Sequence, residues 1–262
     1  MAILLASLLD ADWLRLADEV RTVDIAGVDG FSVDIMDGRF VPRLAFGPHI
    51  VSTIRGLTDA LIEVHLMIAN PEKQVGEFCD AGADQIIFHV EATEEPLRLI
   101  KAIKSRGLRA GLSLLQESPV GLITDHMLES IDALNFLAVP VGYGGQKTSG
   151  QTLDRITAIR ERAACVNPLL AIEIDGGMKP DNCSAFVKAG ADVIIIGTGI
   201  YKSGNYDEAV RTARHNMRAI NAESARRQEN FLKVSKRSRL IRCRETEYRE
   251  NPAARNRKTT RI

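Results

Sequence analysis

Four cysteines in 262 residues (Cys79, Cys165, Cys183 and Cys243) stand far apart, with no Cys-x-x-Cys pair and no metal-ligand spacing. That scatter excludes a zinc knuckle and a disulfide framework, and it suits a chain kept in a reducing cytoplasm. Long apolar runs are missing too: none approaches the ~20 residues that a bilayer-spanning helix needs. The stretch Met1–Leu9 is apolar, but it has neither a basic leader nor a small-residue cleavage site, and it reads as a first buried strand rather than a signal peptide. The chain also lacks any excess of charge, with 34 Lys plus Arg against 34 Asp plus Glu.

That balance is not uniform. From Arg226 to Ile262 there are 13 Lys and Arg against 4 Asp and Glu, a surplus of nine positive charges, so residues 1–225 carry an equal negative surplus. Two compositions place a boundary near residues 220–227, between a body over 1–220 and a basic extension over 221–262. The extension is rich in Arg, Lys, Ser and Asn, has few large apolar residues after Leu240, and offers no apolar face that a core would need. It is expected to prolong the last helix and then to be partly disordered, as a solvated tail without a nucleic-acid partner.

What the body does have is a regular alternation. Short apolar runs rich in β-branched residues fall at Ile3–Ser7, Phe31–Met36, Leu61–Met67, Gln85–Glu91, Ala110–Leu114, Ala133–Val139, Leu169–Asp175 and Val193–Gly197. Each is followed by a helix-sized segment, which implies a parallel sheet. Eight such units in roughly 220 residues favour a closed (β/α)8 barrel over an open doubly wound sheet. In the first helix, Trp13, Leu16, Ala17, Val20 and Val23 fall on one face, Asp10 or Asp12 can cap it, and Gly27 can end it in a left-handed turn. The same punctuation recurs as Ala26-Gly27-Val28-Asp29, Ala81-Gly82-Ala83-Asp84 and Ala189-Gly190-Ala191-Asp192, each just before a strand.

Strand parity separates inward from outward side chains. In the second strand Phe31, Val33 and Ile35 form an apolar face for the helices, so Ser32, Asp34 and Met36 point inward. By the same rule Glu63, His65 and Met67 align, as do Gln85, Ile87, His89 and Glu91, and Glu173 and Asp175. Polar residues thus converge near the C-terminal strand ends, where barrel enzymes carry their active sites. Asp34, His65 and Asp175 are the foremost candidates, because three unpaired buried polar groups would cost several kcal/mol each without a ligand or partners. Glycine-rich turns follow the last three strands: Gly142-Tyr143-Gly144-Gly145-Gln146, Asp175-Gly176-Gly177 and Gly197-Thr198-Gly199. Such turns let backbone N–H groups approach an anion, and loops after the seventh and eighth barrel strands commonly hold a phosphate.

Here the residues resemble a known family. Ser32-Val33-Asp34-Ile35-Met36-Asp37-Gly38-Arg39-Phe40-Val41-Pro42 is similar to the second-strand signature of ribulose-phosphate 3-epimerases. The likeness continues through Val64-His65-Leu66-Met67, His89-Val90-Glu91-Ala92, Gly142 to Gln146 and Glu173 to Gly177, over roughly residues 2–215. The resemblance implies an isomerase of pentose phosphate metabolism that moves a proton at C3 of a ketose 5-phosphate through a cis-enediolate. It implies that Asp34 and Asp175 are the acid/base pair and that Asp34, His65 and Asp175 hold a divalent metal (Zn, Fe or Mn). Ser7, Met36, His65 and Met67 would contact the substrate, and Gly144, Gly145, Gly176, Gly177, Gly197 and Thr198 would hold its phosphate. A cytoplasmic homo-oligomer with no membrane association is expected.

The pattern departs from the family at three places. Ser32 stands where the family has a metal-ligating histidine, and a neutral hydroxyl is a poor substitute for imidazole on zinc or iron. Leu137-Ala138-Val139-Pro140-Val141 replaces the usual Met-Ser-Val-Asn-Pro, and Arg43 replaces an asparagine. All three touch the sugar side of the site, so the sugar can differ from ribulose. Two other readings stay open: a non-catalytic sugar-phosphate-binding barrel, which Ser32 favours, and an aldolase or decarboxylase, which would want a lysine that no predicted strand supplies.

Overall fold

The computed structural model describes residues 2–140, 151–218 and 224–233. Within them the strands run in chain order as β1 (Ile3–Ser7), β2 (Gly30–Asp37), β3 (Leu44–Ala45), β4 (Leu61–Met67), β5 (Gln85–His89), β6 (Arg109–Leu114), β7 (Ala133–Leu137), β8 (Ala171–Asp175) and β9 (Val193–Ile196). All but β3 are parallel, and β1 pairs with both β2 and β9, which closes an eight-stranded barrel. β3 is a two-residue addition that pairs antiparallel with the end of β2. Between the strands lie α1 (Leu16–Ala26), α2 (Pro48–Arg55), α3 (Val75–Asp80), α4 (Pro96–Ser105), α5 (Asp125–Ser130), α6 (Gln151–Val166) and α7 (Cys183–Ala189), followed after β9 by α8 (Thr198–Tyr201) and α9 (Tyr206–Asn216). No helix among the described residues is long and apolar enough to cross a membrane.

The outer core forms where the sequence pattern puts it. Phe31, Val33 and Ile35 of β2 are buried with Val20 and Val23 of α1 and with Leu99, Ile100 and Ile103 of α4 in one cluster between strands and helices. The boundaries shift by a few residues for local reasons. β5 stops at His89, because Val90–Ala92 turn into a single 3-10 turn. β8 begins only at Ala171, with Leu169 left 40% exposed. α1 begins at Leu16, and Trp13 lies before it in a 3-10 turn capped by Asp12, whose carboxylate accepts the Leu14 N–H at 3.1 Å. Trp13 packs instead on Phe46, with ring centroids 4.6 Å apart.

The repeated turn has a mechanical role. Gly27, Gly82 and Gly190 adopt φ of 98°, 103° and 116°, a region that favours glycine. Two residues later the aspartate carboxylate reaches back to the preceding strand: Asp29 accepts the Leu4 N–H (2.8 Å), Asp84 that of Ile62 (2.9 Å) and Asp192 that of Ile172 (3.2 Å). Each carboxylate also pairs with an arginine, Asp29 with Arg214, Asp84 with Arg55, and Asp192 with both Arg160 and Arg227. Asp132 repeats the device without the glycine, accepting the Ala110 N–H at 3.0 Å and pairing with Lys104. These clamps fix the N-terminal edge of the barrel, opposite the candidate site.

The same edge shows one departure from the sequence reading. Residues 224–233, which fall in the stretch given no part in the core, are helical and pack beneath the barrel. Phe231 is buried among Ile3, Leu5, Leu61, Ile87, Val193 and Ile195, the apolar floor of the barrel interior. The Arg109 guanidinium lies over its ring, 3.1 Å from the centroid, and donates to its carbonyl at 3.1 Å. Burial draws Arg109 down to about 10, which still leaves it charged at neutral pH. The contacts that seat the helix centre on one aromatic ring and one Arg227–Asp192 ion pair, and that is too small a pattern for composition to reveal. The rest of the extension, with Cys243, lies outside the described residues. Phe231→Ala should cost about 3–5 kcal/mol, as expected for emptying a buried aromatic site. Urea unfolding followed by circular dichroism measures this, and an unchanged midpoint would show that the helix is not part of the cooperative core.

Candidate active site

Register brings the candidates together. Across the β2–β4 pairing Ser32 lies beside Glu63, Asp34 beside His65 and Met36 beside Met67, so each pair forms a rung of one interior layer. Asp175, at the end of β8, reaches the same height. One ligating atom from each of Asp34, His65 and Asp175 falls within a mutual span of 4.8 Å. His65 Nδ1 stands between the carboxylates, 3.3 Å from Asp34 Oδ1 and 3.9 Å from Asp175 Oδ2. Ser7 donates its hydroxyl to the other Asp34 oxygen, Oδ2, at 2.9 Å. This leaves Asp34 Oδ1 and His65 Nδ1 buried and without a hydrogen bond. Two unpartnered donor atoms beside a second carboxylate suit a divalent cation, and an N/O donor set with room for further ligands fits zinc, iron or manganese.

Electrostatics separates the two carboxylates. Burial, and then the Asp34 carboxylate beside it, push Asp175 up to about 7, against a smaller pull from His65. Two carboxylates so close cannot both ionise freely, and such a pair tends to hold one proton between them.

Beneath this layer lies a second, fully buried one. Ser32 donates to Glu63 Oε1 at 3.1 Å, and the Gln85 amide donates to Glu63 Oε2 (2.6 Å) and Glu173 Oε1 (2.8 Å). Burial raises both Glu63 and Glu173 above the usual carboxylate range, Glu63 well above it with the adjoining Glu173 adding to the shift. The hydroxyl at position 32 is therefore committed to Glu63 and does not belong to the group of metal donors.

The remaining sequence candidates divide clearly. Met36 and Met67, each 3% exposed, line the pocket together with Leu137, Val139 and Pro140. Gly176, Gly177, Gly197 and Thr198 line it as well. Gly176 and Gly177 have φ of 96° and 70°, so both positions of that turn favour glycine. Gly144 and Gly145 lie outside the described residues.

Two residues of the site were not singled out in the sequence. His89, buried beside His65, is held down to about 4 by burial and is neutral. Asp10, read as one of two capping candidates, leaves the cap to Asp12 and turns into the pocket. Its carboxylate enters the space that a Cβ at Gly197 would fill. Burial and then the Asp34 carboxylate raise Asp10 above its ordinary value, with the Thr198 amide pulling the other way. The available signal was the Asp10-x-Asp12 pair itself: one helix start needs one cap, and the second aspartate was free for another task.

Known proteins resemble this chain both in sequence and in fold. The family model for the ribulose-phosphate 3 epimerase family matches residues 3–201. A ribulose-phosphate 3-epimerase of Synechocystis sp. is 40% identical over 214 residues, which make up 81% of this chain and 93% of that protein. One of Bacillus subtilis is 34% identical over 209 residues, or 79% and 96%. Among solved structures, KGPDC from Streptococcus mutans superposes with a TM-score of 0.64 at 19% identity, covering 83% of this chain and 97% of that one. Orotidine 5'-phosphate decarboxylase from Pyrococcus horikoshii OT3 gives 0.61 at 20% identity, covering 83% and 100%. At such identities these structures share the barrel fold alone. With the family model and sequence relatives in agreement over the whole barrel, the chain belongs to the ribulose-phosphate 3-epimerase family, a family of isomerases.

Proposed function

We propose that this chain inverts C3 of a ketose phosphate, ribulose 5-phosphate or a close relative, by two-carboxylate proton transfer. The observation that carries the reading is Asp34 and Asp175 facing one pocket, with Asp175 raised to about 7. Inversion at a carbon acid needs one ionised carboxylate to remove the proton and one protonated carboxylate to return a proton to the other face. A pair holding a single proton is ready for either direction of the reaction. Ser7 holds Asp34 by one oxygen and leaves the other free to act. Met36 and Met67 keep water from the intermediate, whose protonation by solvent would release it from stereochemical control. Asp34, His65 and Asp175 would hold a divalent metal, which when bound supplies positive charge against the negative charge of an enediolate. Asp34→Asn and Asp175→Asn should each lower turnover of ribulose 5-phosphate at least ~100-fold without altering the circular dichroism spectrum. Either variant turning over at the wild-type rate would rule the mechanism out.

The metal reading has its own test at position 32. Ser32→His adds an imidazole on the inward face, two residues before Asp34, and should raise metal affinity at least about tenfold, or ~1.4 kcal/mol. Competition against a chromogenic chelator measures it, and no gain in bound metal would argue against the group formed by Asp34, His65 and Asp175.

Asp10 sets a further condition on the substrate. In this reading the phosphate sits at the Gly176, Gly177, Gly197 and Thr198 end of the pocket, where Asp10 already places a carboxylate. Because its pKa is raised, Asp10 is neutral in acid and gains its charge as pH rises past the ordinary carboxylate range. The ionised form repels the phosphate, so the wild-type KM should rise with pH over that range. Asp10→Asn removes the charge; it should lower KM about tenfold at neutral pH and flatten this rise. A KM unchanged in the variant would place the phosphate elsewhere.

A further inference from the structure

Two groups at the rear of the site have no part in the chemistry above. His89, at the end of β5, stacks on His65 with ring centroids 5.1 Å apart and planes 17° apart. Their Nε2 atoms are 3.1 Å apart, close enough to share one hydrogen bond. At that distance one nitrogen must carry a proton and the other a lone pair, since two protons or two lone pairs would repel. The other nitrogen of His89, Nδ1, faces Glu91 Oε2 at 3.5 Å, and neither atom has another hydrogen-bond partner. Glu91 is itself anchored, its Oε1 accepting the Leu115 N–H at 3.0 Å.

With one ring proton, His65 has a choice of two tautomers. With its proton on Nδ1 it would donate toward Asp34 Oδ1, 3.3 Å away, and the lone pair that a metal needs would be lost. With its proton on Nε2 it donates to His89, and Nδ1 presents a lone pair between Asp34 and Asp175. Glu91 breaks the tie. A carboxylate facing His89 Nδ1 draws the single proton of neutral His89 to that atom, which leaves His89 Nε2 as an acceptor. His65 can then satisfy the contact only by donating through Nε2.

We propose that Glu91 and His89 are positioning residues that set the tautomer of His65, so that its Nδ1 is held ready as a metal ligand. The inference rests on the metal reading of Asp34, His65 and Asp175. It extends that reading past the donors themselves, to the hydrogen-bonded partners that orient a ligating imidazole and whose loss typically costs 10- to 100-fold in metal affinity.

The test pairs two variants of the full-length protein with two measurements. His89→Phe keeps a ring of similar shape against His65 but removes the acceptor, whereas His89→Gln restores an acceptor oxygen near the Nε2 position. Cobalt(II) binding should weaken at least tenfold in His89→Phe and stay within about threefold of wild type in His89→Gln. Nitrogen-15 spectra of the metal-free wild type should show His65 protonated on Nε2, and those of His89→Phe a shift of the proton to Nδ1. A merely structural role for the ring would leave the His65 tautomer unchanged in His89→Phe. Wild-type His65 found protonated on Nδ1, or cobalt bound by His89→Phe as tightly as by wild type, would overturn the proposal. A wild type that bound no cobalt would count against the metal site itself, while the nitrogen-15 spectrum would still decide where the proton lies.

Discussion

A closed parallel barrel has one interior, and every second residue of eight strands must enter it, whatever its chemistry. In this chain many of those residues are polar or ionisable, and none can retreat to solvent without breaking the pleat. The structure meets that constraint by stacking. An apolar floor of Ile3, Leu5, Leu61, Ile87, Val193 and Ile195 is closed from below by Phe231. Above it the Gln85 amide bridges Glu63 and Glu173, with Ser32 attached to Glu63. Above that again Asp34, His65 and Asp175 open to the pocket with atoms still unpartnered. Polarity rises toward the C-terminal strand ends, where Asp34 and Asp175 line the pocket that a ligand can reach.

The opposite end of the barrel is rigid for a different reason. At Asp29, Asp84, Asp132 and Asp192 a carboxylate accepts a backbone N–H from the preceding strand and pairs with an arginine or lysine. A register slip of one residue would turn every inward side chain toward the helices, so clamping the strand starts also protects the geometry of the strand ends. The charge on Asp192 is held by two arginines, one of them on helix 224–233, which joins the floor to the clamps.

Within the site, this chain arranges its charges in a way that differs from the family pattern at one ligand position. With serine at position 32, the hydroxyl closes the buried Glu63 network, and the candidate metal donors are one nitrogen and two carboxylates. Fewer donors place more demand on each that remains. To serve as one of them His65 would have to present a lone pair on Nδ1, the tautomer that the proposed role of the stacked His89 and of Glu91 favours. Asp10 adds a carboxylate at the glycine end of the pocket, beside Gly197.

The alternation of strand and helix, the barrel class, the inward parity of Ser32, Asp34, His65, His89 and Asp175, and the glycine turns at the strand ends were all legible in the residues. They depend on local rules, the two-residue pleat and the glycine-only left-handed turn, which act within a few positions of the chain. Tertiary structure alone decided the rest. Parity could say that His65 and His89 both face inward, but only strand register sets their Nε2 atoms 3.1 Å apart. Composition marked residues 221–262 as a basic extension, but only the shape of the barrel floor selects Phe231 from it. Asp10 and Asp12 are alike as capping residues, and the closure of β1 against β9 sends the first of them to Gly197 while the second stays at the helix start. These outcomes depend on distances between segments remote in sequence, which no pattern along one segment encodes.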